Sequence, residues 1–107
     1  MAMIVQQLAL ELIAELRPLI PSISRQDKNL ANQLQRCATS VVLNIAEGEY
    51  SDPGTKRARF HSAAGSASET RAALQVASCW RYVSEDEAKT SLALLDRVLG
   101  MLWSLTH

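Results

Sequence analysis

Apolar residues recur at intervals of three and four along almost the whole chain, and this spacing is the strongest constraint on its fold. It is the period of a helix that buries one face. Gly and Pro number only 4 and 3, so long irregular loops are not expected. Leu and Ala supply most of the apolar residues, whereas β-sandwiches favour β-branched and aromatic ones. The sequence predicts an all-α protein, and 107 residues suit a single domain, 1–107, with one modest core.

Four helical segments are predicted, and the first runs from about Met3 into the segment 18–21. Pro18 and Pro21 either end this helix or kink its last turns, and the sequence leaves both outcomes open. Its apolar stripe comprises Ile4, Leu8, Leu12, Ile13 and Leu16.

The second helix is predicted to begin near Ser24, with Asp27 three residues later as an acidic counterpart in a capping box. Gly48 and the turn "YSDPG" are expected to end it, because glycine favours helix C-termini. Its core stripe comprises Leu30, Leu34, Cys37, Val41 and Ile45.

The third helix, about 53–81, begins with Asp52 as N-cap and Pro53 as its first residue. Ser84 and Glu87 form a capping box for the fourth. The apolar stripe of the fourth helix comprises Ala88, Leu92, Leu95, Leu99 and Leu102. With short connections, four such helices fold most simply as an up-down-up-down bundle.

The sequence carries more apolar surface than a monomeric four-helix bundle buries. The second helix is apolar nearly all round over 41–46, and the third has two non-polar sides. One side comprises Phe60, Ala63, Ala64, Ala67 and Leu74, and the other comprises Ala58, Gly65, Ala72, Ala73 and Val76. This excess predicts a homo-oligomer.

A stripe of polar residues lies beside the apolar stripe of the second helix. Its members, spaced i, i+4, i+8 and i+11, are Arg36, Ser40, Asn44 and Glu47. The third helix offers Ser66 and Glu69, with Gly65 among them to allow close approach. These side chains are either solvated, or a network that fixes helix or subunit register, or part of a ligand or catalytic site. We favour the network, because buried polar groups need partners.

Few residues support catalysis or metal binding. No Glu-x-x-His pair and no zinc-type cysteine spacing occurs, so neither a metal nor a cofactor is expected. Cys37 and Cys79 lie in apolar helical patterns and are expected to be reduced core residues of a cytosolic protein. His61 is expected on the surface or at an interface. The remaining enzymatic option is a carboxylate pair, Glu47 with Glu69, and we expect no enzyme.

The formal net charge is zero, but basic residues gather in the third helix. Those that would contact RNA or DNA are Lys56, Arg57, Arg59 and Arg71. The N-terminal segment lacks the features of a signal peptide, and no apolar run has membrane-spanning length, so a cytoplasmic protein without membrane association is expected. The aromatic residues Trp80, Tyr82 and Trp103 are expected to cluster as core plugs or interface anchors.

Two motifs resemble those of a known family. The segment "QLQRCATSVVLNIAEG", 33–48, is similar to the signature Q-x-x-R-A-x-x-S-x-x-x-N-x-A-E-G of four-helix bundle proteins related to the 23S ribosomal RNA intervening-sequence protein. The segment "AAGSASETRAAL", 63–74, resembles that family's A-x-G-S-x-x-E motif. The one departure is Cys37, where the family often has Ala. The matching positions are Gln33, Arg36, Ser40, Asn44, Ala46, Glu47, Gly48, Gly65, Ser66 and Glu69.

The resemblance implies a left-handed up-down-up-down four-helix bundle assembled as a ring-shaped homopentamer, and no known reaction. Some members are encoded inside intervening sequences of 23S ribosomal RNA genes. The family is also similar to the accessory variability protein of diversity-generating retroelements, a basic pentamer that works with a reverse transcriptase and its RNA.

Two functions are therefore expected of this chain. The first is a non-enzymatic homo-oligomeric scaffold whose main partner is itself. The alternative is a nucleic-acid-associated accessory protein, with RNA, DNA or a reverse transcriptase as its partner.

Overall fold

The computed structural model describes residues 2–107, which form five α-helices and no strand. The helices are α1 (Ala2–Leu16), α2 (Ile20–Gln26), α3 (Lys28–Glu49), α4 (Pro53–Cys79) and α5 (Glu85–Thr106). The predicted all-α class is confirmed. The predicted count of four helices is wrong, because the short α2 is a separate fifth helix.

The prolines separate α1 from α2. α1 ends at Leu16, and Pro21 lies in the first turn of α2, where its missing N–H costs nothing. The prediction that Ser24 caps the next helix is wrong, because Ser24 lies inside α2. Asp27 is the N-cap of α3 instead, and its Oδ1 accepts the N–H of Leu30 at 3.0 Å.

The start signals of the two last helices are confirmed. Asp52 accepts the backbone N–H of Thr55 at 3.0 Å, and this hydrogen bond, with one from the Thr55 hydroxyl, lowers the pKa of Asp52. Ser84 and Glu87 form both hydrogen bonds of a capping box. Helix starts are readable because the capping side chain lies next to the N–H groups it binds.

The end of α4 differs from its prediction. The helix stops at Cys79, and Arg81 adopts a left-handed conformation with φ of 63°. The N–H of Tyr82 then bonds to the carbonyl of Ala77, and that of Arg81 to the carbonyl of Ser78. A helix end closed by these two hydrogen bonds normally has glycine at the left-handed position, which here is Arg81. With arginine there, the sequence carries no visible stop signal.

The helices enclose one apolar core. α4 packs on α3 and α5, α1 packs on α3 and α5, and α2 packs on α3. The largest fully buried side chains include Leu12, Ile23, Leu34, Phe60, Leu74, Leu95 and Leu102. The predicted stripes are largely confirmed, with four members only half-buried, namely Ile13, Leu30, Leu92 and Leu99. Ile4 is a wrong assignment, since it is 52% exposed.

α3 ends at Glu49, directly before the predicted turn, but Gly48 is not the residue that ends it. Gly48 is helical and buried, and a Cβ built on it would lie 2.6 Å from Cε1 of Phe60. A Cβ on Gly65 would meet no atom within 4 Å. The glycine that permits the close approach of α3 and α4 within the chain is therefore Gly48 and not Gly65.

We expect Gly48→Ala to destabilise the fold, because the ring of Phe60 is 1% exposed and has no room to move away. Overpacking of this kind costs about 1–3 kcal/mol. Gly65→Ala is the matched control and should stabilise by about 0.5–1 kcal/mol, because it adds helix propensity without a clash. Urea unfolding of the two variants measures the difference. Equal free energies of unfolding would contradict the steric role of Gly48.

Candidate functional site

A polar groove runs along the outer side of α3 and α4, which lie antiparallel. It consists of two cavities, each of about 540 Å³, which share Asn32, Arg36 and Ser40 in their linings. We call it the α3–α4 groove. All six residues predicted for the polar network line it, and they are Arg36, Ser40, Asn44, Glu47, Ser66 and Glu69.

Three of the six residues form a connected hydrogen-bond network. The hydroxyl oxygens of Ser40 and Ser66 lie 2.8 Å apart and join α3 to α4. The side-chain amide of Asn44 donates to the hydroxyl of Ser40 at 3.0 Å and to its carbonyl oxygen at 2.9 Å. The network therefore links the two helices at one fixed relative position.

Glu69 accepts a hydrogen bond from Cys37, a residue that the sequence predicted only as part of the apolar stripe of its helix. The thiol of Cys37 donates to Oε2 of Glu69 at 3.3 Å. Burial raises the pKa of Cys37, and the hydrogen bond and negative charge of Glu69 raise it further. The thiol therefore stays protonated, which makes it a poor nucleophile and metal ligand. No sequence signal pointed to this pair, because it depends on how α4 is rotated against α3.

No hydrogen bond joins Glu47 or Arg36 to the network of Ser40, Ser66 and Asn44. Glu47 forms an ion pair with Arg59 at 3.0 Å, in which both side chains are about half exposed. Arg36 forms neither an ion pair nor a hydrogen bond with any residue in the range 2–107. Surface pairs of this type contribute about 0–1 kcal/mol, so Glu47 adds little to the connection between the helices.

The two carboxylates of the enzymatic hypothesis are not brought together. Glu69 faces Cys37, which lies ten residues before Glu47 on α3. At 1.5 Å per residue, this separation is about 15 Å. Carboxylate pairs that act on one bond lie less than about 10 Å apart. Glu47 and Glu69 therefore cannot share one reacting bond in this arrangement.

The predicted basic residues do not form one patch. Arg59 pairs with Glu47 on α3, whereas Arg71 pairs with Asp96 on α5 at 2.8 Å. The Nε of Arg57 donates to the carbonyl oxygen of Thr106 at 3.0 Å. The Nζ of Lys56 lies 5.9 Å from the ring centre of Phe60. Arg57 and Arg71 therefore contact α5, whereas Arg59 contacts α3, and the four cations are divided between two sides of α4.

The aromatic residues form two separate pairs instead of the predicted single cluster. Trp80 stacks on Tyr82 with ring centres 6.4 Å apart, and Trp103 stacks on His107 at 4.5 Å. Trp80 is 67% exposed and Trp103 is 61% exposed, so neither is a core plug. His61 contacts the edge of His107, with centres 5.9 Å apart.

Residues 2–107 contain neither a cluster of metal-ligating side chains nor a membrane-spanning helix. Within that range, no three His, Cys, Asp or Glu side chains lie close enough together to hold a metal ion. None of the helices in the same range has both the length and the hydropathy needed to cross a membrane.

The fold defines the chain as an all-α protein of closely packed helices with a polar groove between α3 and α4. The family described as 23S rRNA-intervening sequence protein matches residues 1–104. The chain belongs to this family, as the two motifs predicted.

A solved structure shares the fold. It is a crystal structure of a protein with unknown function from the S23 ribosomal protein family of Bacteroides thetaiotaomicron VPI-5482. It superposes with a TM-score of 0.88 at 20% sequence identity, over 95% of this chain and 97% of that one. No curated protein matches the sequence. Neither the family description nor that of the crystal structure names a reaction.

We expect Ser66→Ala to weaken the connection between α3 and α4, because it removes the partner of the Ser40 hydroxyl. The loss of one such hydrogen bond lowers the free energy of unfolding by about 0.5–1.5 kcal/mol. Ser62→Ala, at an exposed position of the same helix, corrects for the change in helix propensity. Chemical denaturation of both variants at one protein concentration gives the comparison, and a Ser66→Ala protein as stable as Ser62→Ala would contradict the role of the network.

Proposed function

We propose that this protein is a non-enzymatic, cytoplasmic homo-oligomer that serves as an assembly or binding scaffold. The polar network of the α3–α4 groove fixes how its helices, and through them its subunits, are arranged. The groove holds a protonated thiol and two separated carboxylates, which is chemistry suited to structure and recognition and not to catalysis.

The observation that carries the proposal is the number of large apolar side chains left in solvent. They are between 43% and 96% exposed and comprise Met3, Ile4, Leu10, Leu43, Tyr50, Val76, Trp80 and Trp103. Ala58, Gly65 and Ala72 on the outer side of α4 are also exposed. Three of them, Met3, Ile4 and Leu10, lie close together on the exposed side of α1, and grouped apolar side chains of this kind mark interaction surfaces.

A ring of five subunits, each a left-handed up-down-up-down bundle, is the assembly we propose. The two signature motifs support it, because the proteins they resemble form such rings. The zero net charge also favours self-association, because copies of the chain do not repel one another strongly.

We expect the purified protein at micromolar concentration to have the mass of about five copies of its 11.8 kDa chain. Size-exclusion chromatography with light scattering measures this mass directly. A smaller or larger multiple would correct the stoichiometry and keep the self-association. A stable monomer would overturn the proposal.

A second candidate function is nucleic-acid association, and the surface near the end of α5 favours it. The exposed Trp103 stacks on His107, beside His61 and Arg57. An exposed aromatic side chain near a cation, here Arg57, is the arrangement on which single-stranded bases stack. On this function, RNA and a protein that handles it, such as a reverse transcriptase, are the partners.

For this candidate we expect a labelled single-stranded RNA of about 20 nucleotides to bind at low salt and to lose affinity steeply as salt rises. Fluorescence anisotropy measures the dissociation constant. Trp103→Ala should weaken binding by about 1–3 kcal/mol, which is the contribution of one base stacked on an aromatic side chain. Trp80→Ala is the matched control, because Trp80 directly follows the last residue of α4, whereas the end of α5 that carries Trp103 lies beside the start of α4. If no RNA binds at about 50 mM salt, this candidate is removed.

A further inference from the structure

The outer face of α3 carries an apolar residue and a cation two helical turns apart. Leu43 is 55% exposed, and Arg36 lies seven residues before it on the same side of the helix. Arg36 forms no ion pair or hydrogen bond within residues 2–107. An arginine holds five donors in a planar fork and is well suited to a carboxylate at an interface.

The outer face of α1 carries the opposite charge at the same spacing. Ile4 is 52% exposed, and Glu11 follows it by seven residues. Glu11 is exposed and pairs with no cation in the described part of the chain. Met3 and Leu10 flank these two positions and are also exposed. α1 therefore presents an apolar strip with a carboxylate two turns further on.

The two faces match when the helices run antiparallel. Seven residues span about 10.5 Å on either helix. If Ile4 lies opposite Leu43, then Glu11 lies opposite Arg36, because α1 advances by seven positions while α3 goes back by seven. Apolar side chains then meet apolar side chains, and the two unpaired charges form a pair.

Two competing registers are disfavoured by charge. Placing Met3 opposite Leu43 brings the apolar Leu10 opposite Arg36 and leaves that cation unpaired. Placing Leu10 opposite Leu43 also buries two exposed apolar side chains, but it brings Arg17 opposite Arg36. Like charges in such a contact disfavour it. The charge pattern therefore selects the first register.

We propose that α1 of one copy of this chain docks antiparallel on α3 of a second copy, with Ile4 packed on Leu43 and Glu11 paired with Arg36. This inference rests on the self-association proposed above and assigns the surfaces that make it. The contact joins two different faces, so it is a head-to-tail type of interface that is able to continue from copy to copy until a ring closes.

Charge reversal tests the pairing in the full-length protein. Arg36→Glu and Glu11→Arg each place two like charges in the contact, and each should shift the mass measured by light scattering toward 11.8 kDa at micromolar concentration. The combined variant, Arg36→Glu with Glu11→Arg, restores the opposite charges and should recover the wild-type mass. Circular dichroism of each variant checks that the helices remain folded.

Arg97→Glu is the matched control, because Arg97 is an exposed cation on α5, a helix that carries neither of the two faces. It should leave the mass unchanged. Recovery by the double variant, when both single variants dissociate, supports the pairing and its register. Single variants that assemble like the wild type, or a double variant that stays dissociated while folded, overturn it.

These outcomes separate the two proposals. If the wild type assembles and the charge variants do not respond, the surfaces are wrongly assigned and the oligomer stands. If the wild type is itself a monomer, the oligomer fails and this contact fails with it.

Discussion

The arrangement of the whole molecule depends on the close contact between Gly48 of α3 and Phe60 of α4. The absence of a side chain at Gly48 lets the ring of Phe60 lie against the helix backbone, where it becomes one of the largest fully buried side chains. α4 in turn contacts α5, and α5 contacts α1, so the position of Phe60 sets the packing of the remaining helices. The glycine is not needed for its backbone conformation, because no glycine in residues 2–107 has a positive φ.

From that contact toward the start of α3, the interface between α3 and α4 changes from apolar to polar. Ser40, Ser66 and Asn44 satisfy one another, and Cys37 satisfies one oxygen of Glu69. Hydrogen bonds of this kind contribute modestly to stability but strongly disfavour displaced arrangements, because displacement would leave polar groups unpaired. The groove is therefore a specificity element for helix packing, and Arg36 lines it without an ion pair or hydrogen bond to any residue in the range 2–107.

The sequence predicts most of this fold because its signals are local. The caps Asp52 and Ser84 lie within three residues of the groups they bind, and the apolar stripes follow from helical spacing. The failures have equally physical causes. Pro21 looks like a helix end but starts α2, and Arg81 adopts a conformation that glycine usually marks.

The site is predictable in its membership but not in its pairings. Periodicity places Arg36, Ser40, Asn44 and Glu47 on one side of α3, and they do line one groove. Which residue bonds to which depends on the rotation and translation of α4, and these follow from packing at Phe60. The bond from Cys37 to Glu69 and the pairing of Arg59 with Glu47 therefore had no local signal.

The bond between Cys37 and Glu69 also bears on how the protein tolerates oxidants. Peroxides attack thiolates, and Cys37 is a buried, protonated thiol whose pKa is raised. The prediction that Cys79 is a core residue is wrong, because Cys79 is exposed, and it forms no such hydrogen bond among residues 2–107. Of the two cysteines, Cys79 at the end of α4 is therefore the one that a peroxide would modify first, and Cys37 at the interface between α3 and α4 would stay reduced. Burial and the carboxylate of Glu69, which both keep this thiol protonated, thus protect it from oxidation.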